Sequence, residues 1–192
     1  MVKRGKHLKL VDIPRFESLV EALRKAQRRW KERKRDLALL ALLIYTGCRL
    51  GEIVGLTLGD LDFTRRTVKI RQEKKRTEHV RIIPVPSALC WRIVRNYVKT
   101  LPFKSPDTPL FTITKRQARN IVYAFTERFL GRRLRPHAIR HSYAVFILKN
   151  TRNLEVVRRL LGHSSYKWLK EYLNYTQEDL QEELEDIFLK LE

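Results

Sequence analysis

The clearest pattern in the chain is an unbroken apolar run that follows a basic, amphipathic segment. Residues 37–45 (LALLALLIY) are apolar at every position, which is typical of a helix buried on all sides. Gly47 follows and fits the left-handed residue that ends many helices. Upstream, Pro14 fits a first helical position, and apolar residues recur behind it at helical spacing. We therefore predict helices over 14–34 and 36–45.

Alternating apolar and polar residues mark a small β region after the buried helix. Residues 67–71 and 79–84 both alternate, and the polar run 72–78 between them fits the tip of a hairpin. Phe63 leads into the first of these strands through a tight turn. The region therefore predicts an antiparallel sheet of about three strands.

The remaining patterns are helical, and loops with proline or glycine separate them. They cover residues 50–58, 87–100, 115–130, 136–149, 153–161 and 166–175, with a further helix in the tail. The chain contains no internal repeat. We expect an α+β fold that is mostly α, with one helical domain and a small three-stranded antiparallel sheet inserted early.

Charge narrows the choice of partner. The 192 residues include 41 Lys and Arg against 21 Asp and Glu, a formal net charge of +20. Such an excess favours a polyanion partner, most often nucleic acid. A thermophile surface would explain many charges but not the two-to-one ratio. The basic run 24–35 fits either a solvated face or a DNA-facing one.

Several other classes of protein fit the sequence poorly. The longest apolar run has nine residues, which is too short to span a bilayer, and no signal-peptide pattern opens the chain. Two cysteines argue against a disulfide scaffold and a multi-cysteine zinc site. We find no carboxylate cluster suited to two Mg²⁺ ions and no P-loop. We therefore expect a cytoplasmic protein with neither metal nor cofactor.

A first candidate for chemistry is Arg49 in the motif TGCRLGE. A buried helix ends there, a glycine turns the chain, and the arginine begins the next helix, near N–H groups that favour an anion. Glu52 lies one turn further on and can orient the guanidinium. An ordinary surface arginine paired to Glu52 is the alternative.

A second candidate is the motif RPHAIRH, in which a proline opens a helix. His137 and Arg140 are three residues apart, so they share one face near its N-terminus. A guanidinium and an imidazole at such a position suit a phosphate group. The apolar residues of the following turns, including Tyr143 and Phe146, predict a buried stripe on the opposite face. A capped surface helix is the alternative.

Two further motifs lie near the C-terminus. His163 occupies the tight link of LLGHSS, where it is either a functional group or a turn histidine. Tyr172 follows nine residues later in EYLNYT, and Tyr175 lies one turn beyond it. Tyrosines at helical spacing usually pack in a core or an interface, and nothing local makes either one a nucleophile.

Together, the motifs TGCRLGE, HAIRHSYA, LLGHSS and EYLNYT resemble the tyrosine recombinases, also called phage integrases, including the Xer-type enzymes. The resemblance covers residues 14–176 and implies the catalytic domain of that family. It implies that Arg49 and Arg140 hold the scissile phosphate, with His137 and His163 donating hydrogen bonds to it. It further implies that Tyr172 attacks phosphorus and forms a 3′-phosphotyrosyl enzyme without metal or ATP.

The resemblance also implies a lysine on the hairpin that protonates the leaving oxygen. The tip offers two lysines, and counting forward from Arg49 and back from Pro84 favours Lys74, with Lys75 second. Lys69 lies in mid-strand and fits a DNA or solvent contact.

The family resemblance extends to partners and domain organisation. It implies double-stranded DNA as partner and a homo-oligomer of two to four copies on that DNA. The tail, residues 177–192, carries seven acidic residues and one basic residue on an amphipathic pattern. It is expected to dock on a neighbouring protomer or, alternatively, to fold back on its own domain. The usual N-terminal core-binding domain is expected to be absent, because about 35 residues precede the buried helix.

Two other functions fit parts of the same evidence. A type IB topoisomerase-like enzyme would share the chemistry but relax DNA instead of exchanging strands. A catalytically inactive DNA-binding protein would retain the fold without the reaction, although the intact set of five motif residues argues against such decay.

Overall fold

The computed structural model describes residues 13–72 and 79–162. These residues form a mostly helical domain with one small sheet. The helices are α1 (Phe16–Arg29), α2 (Lys34–Thr46), α3 (Leu50–Val54), α4 (Ala88–Val98), α5 (Lys115–Leu130), α6 (Pro136–Thr151) and α7 (Leu154–Leu161), and a 3₁₀ turn covers Leu58–Asp60. The strands are β1 (Leu61–Asp62), β2 (Thr67–Gln72) and β3 (His79–Pro84). The expected fold class is confirmed.

Helix α2 is the centre of the domain. Its residues from Asp36 to Ile44 are all buried, as the unbroken apolar run predicted, and it packs against α1, α3, α4, α5 and α6. A helix surrounded in this way gains from burial on every side, which explains the lack of a polar face. Both ends of α2 therefore have fixed positions. Its C-terminal end leads directly into the turn that carries Arg49.

Helix α1 is shorter than predicted at both ends. It begins at Phe16, with Arg15 as its N-cap, so the interpretation of Pro14 as the first helical residue is wrong. It ends at Arg29, because Trp30 leaves the helical conformation and packs its ring 5.2 Å from that of Phe129. Packing against α5 thus ends a segment whose local composition would extend the helix.

The sheet has the order β1–β2–β3, and both pairs are antiparallel, as expected. Its first strand precedes Phe63, which lies in the turn to β2, so the sequence placed that edge a little late. Arg66 completes this turn with a positive φ of 55°. The register pairs Ile70 with Arg81. Helix α3 packs on β2 and α7 packs on β3, so the sheet lies beside two elements that carry site motifs.

The other predicted helices differ from the structure only at their ends. The helix expected over 50–58 stops at Val54, and the 3₁₀ turn follows it. The helices expected over 115–130 and 153–161 agree closely with α5 and α7. Among the described helices, none has the length and apolarity to cross a membrane. The predicted helix over 166–175 and the tail lie outside the described residues.

Candidate active site

The turn at residues 46–49, called here the site turn, joins the buried helix α2 to α3. Gly47 has φ +60°, and a Cβ placed on it would lie 2.3 Å from Cδ1 of Tyr143. Both the left-handed backbone and the contact with α6 therefore require glycine. The Thr46 hydroxyl donates to Leu42 O (2.6 Å) and accepts from the Cys48 N–H (3.2 Å). These contacts fix the backbone that presents Arg49.

Arg49 is the N-cap of α3, and Glu52 holds it in two ways. The carboxylate accepts the Arg49 backbone N–H at 2.8 Å and its Nη1 at 3.2 Å, so the predicted orienting role of Glu52 is confirmed. The Arg49 side chain remains 43% exposed. It is thus held at its base and its tip while part of the guanidinium still faces solvent, where it can meet an anion.

Arg140 lies on α6 and is buried. Nη1 donates to Gly47 O at 2.8 Å and Nη2 donates to Leu161 O at 2.9 Å. The sequence placed Arg140 opposite the apolar stripe of α6, but the structure buries it on the same helix as Ile139 and Tyr143. Its polar partners are backbone carbonyls of distant segments, which helical periodicity does not reveal. Phe146, expected in the stripe, is only half-buried.

His137 lies in the first turn of α6, one turn before Arg140. Pro136 opens this helix, as predicted. Loss of water around the imidazole, followed by the positive charges of Arg140 and Arg49, lowers the pKa of His137 below its ordinary value. Arg140, one turn further along α6, donates to Gly47 O in the turn that presents Arg49. The structure brings together three of the predicted site residues.

The electrostatics of this cluster favour an anion. Burial, followed by the like charge of Arg49, lowers the pKa of Arg140 to about 10, so it still carries its charge near pH 7. The Glu52 carboxylate acts on Arg140 in the opposite sense, but the net shift of the Arg140 pKa is still downward. Two guanidinium groups that repel each other across a site are stabilised when a phosphate binds between them.

Arg81 on β3 is a residue that the sequence interpretation missed. Its guanidinium donates to Glu52 Oε2 at 2.8 Å, and its side chain, which is 12% exposed, lies beside the site turn. Burial by itself would raise the pKa of Glu52, but the hydrogen bond and charge of Arg81, assisted by Arg49, hold it below its ordinary value. The available signal was strand parity, because Arg81 and buried Ile83 share a face of β3.

Four of the predicted residues are not placed. Lys74 and Lys75, His163 and Tyr172 lie outside the described residues. Gly162, the left-handed cap of α7 with φ +66°, is the last residue described before His163. Within the described ranges, no group of three or more His, Cys, Asp and Glu side chains could hold a metal ion.

Comparison with known proteins assigns the chain to a family. A family model described as "Phage integrase family" matches residues 15–179. The chain therefore belongs to the phage integrase family. Named relatives are tyrosine recombinases. The one from Pseudothermotoga lettingae is 30% identical over 151 residues, and the match covers 76% of this chain and 51% of that protein.

Further relatives and solved structures are also recombinases. Tyrosine recombinase XerC of Thermodesulfovibrio yellowstonii is 31% identical over 192 residues, covering 90% of this chain and 61% of its own length. The crystal structure of XerA recombinase superimposes with a TM-score of 0.72 at 20% identity, over 89% of this chain and 61% of that one. The XerH recombinase bound to its difH substrate gives 0.69 at 20% identity, over 94% and 54%. The chain thus spans between a half and two thirds of these relatives.

Proposed function

We propose that the chain is a catalytic domain that cuts and rejoins DNA site-specifically through a covalent 3′-phosphotyrosyl intermediate. The observation that carries the proposal is the pairing of Arg49 and Arg140 at the site turn with His137 beside them. Arg140 donates to Gly47 O at 2.8 Å, within the turn that presents Arg49, and the Arg49 side chain stays 43% exposed. A phosphodiester is the anion that this arrangement and the basic surface suit best. Family membership supports the same reaction.

The proposed reaction begins at a scissile phosphate held by Arg49 and Arg140. The phenolic oxygen of Tyr172 attacks phosphorus, the bond from phosphorus to the 5′ oxygen breaks, and that oxygen takes a proton from Lys74. Lys75 is the second candidate for this acid. Reversal, with the 5′ hydroxyl of another strand attacking the phosphotyrosine, reseals DNA without ATP.

His137 is suited to accept the proton that the attacking phenol of Tyr172 loses. A histidine whose pKa lies below the ordinary value is neutral near pH 7, so one ring nitrogen can accept a proton. Once a phosphate binds, its negative charge raises the pKa of His137 and strengthens it as an acceptor. His163 is proposed as a second hydrogen-bond donor to the phosphate. No metal is required, because two guanidinium groups already stabilise the developing charge.

The proposal extends to assembly. We assign residues 1–176 to the catalytic domain and expect the acidic tail 177–192 to dock on a neighbouring protomer. DNA would then hold two to four copies together. The acidic tail complements a body whose remaining residues carry the whole basic excess, which supports contact between copies.

The experiment that tests the function requires no knowledge of the target site. Supercoiled plasmid is incubated with the protein in EDTA and quenched with SDS, and protein covalently bound to DNA is measured. We expect an adduct from wild type and from Tyr175→Phe, and none from Tyr172→Phe. Tyr172→Phe should retain DNA affinity, since it removes only the nucleophilic oxygen.

The contrary outcomes are distinct. An adduct that survives in Tyr172→Phe assigns the nucleophile elsewhere. Tight binding without any adduct, on plasmid and on nicked suicide duplexes selected for binding, supports an inactive DNA-binding protein instead. An adduct with relaxation, but without joining of two duplexes, supports the topoisomerase-like activity.

A further inference from the structure

The guanidinium of Arg81 connects three separate segments. Nη2 donates to Glu52 Oε2 (2.8 Å) and Nη1 to Oε1 (3.3 Å), a two-pronged contact with α3. Nε donates to Leu160 O (3.1 Å) in the last turn of α7. Nη2 also lies 3.5 Å from the Cys48 sulfur in the site turn. One side chain of β3 thus holds α3, α7 and the site turn together.

Glu52 transmits this contact to Arg49. The same two carboxylate oxygens that accept from Arg81 also accept the Arg49 backbone N–H at 2.8 Å and its Nη1 at 3.2 Å. Glu52 is only 9% exposed, so bulk water contributes little to its orientation. The position of the Arg49 guanidinium therefore depends on where Arg81 holds the carboxylate.

Arg140 forms a matching contact from the opposite side. Arg81 Nε donates to Leu160 O at 3.1 Å, and Arg140 Nη2 donates to the next carbonyl, Leu161 O, at 2.9 Å. The final carbonyls of a helix have no partner within the helix, and cations stabilise that end. The two arginines together fix the end of α7, and both also contact the site turn.

Stability alone explains Arg81 poorly. Its position on β3 faces inward, with buried Ile70 as its partner on β2 and buried Ile83 two residues on. An apolar side chain would suit such a position, and replacing a buried ion pair by apolar residues is often neutral or stabilising. The arginine is better explained by the geometry that it imposes on other polar groups.

We propose that Arg81 is a positioning residue for the cleavage reaction, acting on Arg49 through Glu52 and on the end of α7 through Leu160. The inference rests on the proposed function. Arg81 does not itself touch the phosphate in this scheme. It links strand β3 to the arginine that holds the phosphate in the proposed reaction, so these two segments keep one relative position.

The test is a double-mutant cycle on covalent adduct formation. Wild type, Arg81→Gln, Arg49→Gln and the double variant are compared on supercoiled plasmid at saturating protein, with adduct followed over hours. Arg81→Gln should slow adduct formation by about 10- to 100-fold, the cost of misplacing a reacting group by an ångström or less. In the Arg49→Gln background the fold-loss from Arg81→Gln should be clearly smaller, because its action through Glu52 no longer has a target and only its contact with Leu160 remains.

Two further variants provide controls. Arg71→Gln removes an arginine of β2 that lies 2.7 Å from the buried Asp60 carboxylate, so it breaks another arginine–carboxylate pair of the sheet, one whose arginine is 45% exposed. It should leave adduct formation unchanged. Arg81→Lys keeps the charge but cannot donate to Glu52 and Leu160 in the same geometry, so it should recover at most part of the rate.

The outcomes separate the possibilities. Equal fold-losses from Arg81→Gln in both backgrounds would show that it acts independently of Arg49 and would overturn the inference. A lowered melting temperature with an unchanged rate, in either Arg81 variant, would reduce Arg81 to a structural residue. Absence of adduct from wild type would refute the proposed function first, and the inference with it.

Discussion

Gly47 and Tyr143 lie in direct contact, and a single added carbon between them would come within 2.3 Å of the tyrosine ring. The contact joins the end of α2 to the middle of α6. It therefore sets the distance between the turn that presents Arg49 and the helix that presents Arg140. The need for glycine at position 47 of the TGCRLGE motif is explained by this contact as much as by the left-handed backbone there.

Replacing Gly47 by alanine should destabilise the fold strongly. The left-handed conformation costs an alanine about 1–2 kcal/mol, and the clash with Tyr143 adds about 1–3 kcal/mol. Urea unfolding of Gly47→Ala should show the combined loss. Gly131→Ala is the matched control, because φ is +70° there but nothing lies within 4 Å of the added carbon. Equal losses in the two variants would contradict a steric role for Tyr143.

Arg140→Lys should destabilise the protein while keeping the charge. A lysine cannot reach both Gly47 O and Leu161 O in the fork geometry of the guanidinium. Loss of one buried, charge-assisted hydrogen bond should lower the free energy of unfolding by about 1–3 kcal/mol, measured in urea. Arg71→Lys, at a side chain that is 45% exposed, should cost less than about 1 kcal/mol. If Arg140→Lys lost no more free energy of unfolding than Arg71→Lys, the two hydrogen bonds from Arg140 to Gly47 O and Leu161 O would not hold these segments together.

The sequence predicted those features that depend on local pattern. The buried helix α2 follows from residues 37–45, and the hairpin from alternation on either side of a polar tip. The left-handed cap at Gly47 follows from the glycine that ends the buried apolar helix. Each of these signals lies within a few residues of the feature that it predicts.

Predictions from the sequence failed where a residue's contact partner lies far away along the chain. Arg81 donates to a carbonyl 79 residues away and to a carboxylate 29 residues away, which no periodicity encodes. Arg140 appeared to belong to an exposed face because its partner Gly47 O is 93 residues away. The end of α1 was predicted wrongly for the same reason, since the packing of Trp30 against α5 overrides a locally helical composition.

The two cysteine thiols should be unreactive in the native protein. Cys48 and Cys90 are buried, and burial raises the pKa of both thiols, so the reactive thiolate is scarce at neutral pH. Reaction with a disulfide reagent such as DTNB should therefore be slow in buffer and complete for both thiols in guanidinium chloride. Rapid release of one equivalent under native conditions would show that one of these sites opens locally.

DNA binding should depend steeply on salt. For the proposed function on DNA, the basic excess predicts that release of counterions is the main source of affinity, so a plot of log affinity against log salt should fall with a slope steeper than about −4. The measurement is fluorescence anisotropy with two duplexes of unrelated sequence. Both should show the same slope, because phosphate contacts do not read the bases. A shallow slope would mean that few phosphates are neutralised.

Burial of His137, together with the positive charges around it, predicts both its titration and a change in stability with pH. Its pKa in the folded protein lies below the ordinary value near 6.5, so the unfolded chain binds more protons between those two values. Stability therefore rises with pH through this window and is lost as the pH falls below about 6.5. An NMR titration of the imidazole should give a midpoint below that of a free histidine.

Removing one of the repelling charges should raise that midpoint. Arg49→Gln eliminates a cation that lowers the pKa of His137, so its titration should move towards the ordinary value. Arg65→Gln removes the same charge from the turn before β2 and should leave the midpoint unchanged. Inorganic phosphate should also raise the midpoint in wild type, because a bound anion offsets both arginines. An equal response in the two variants would show that His137 senses only the overall charge of the protein and that Arg49 does not act on the ring locally.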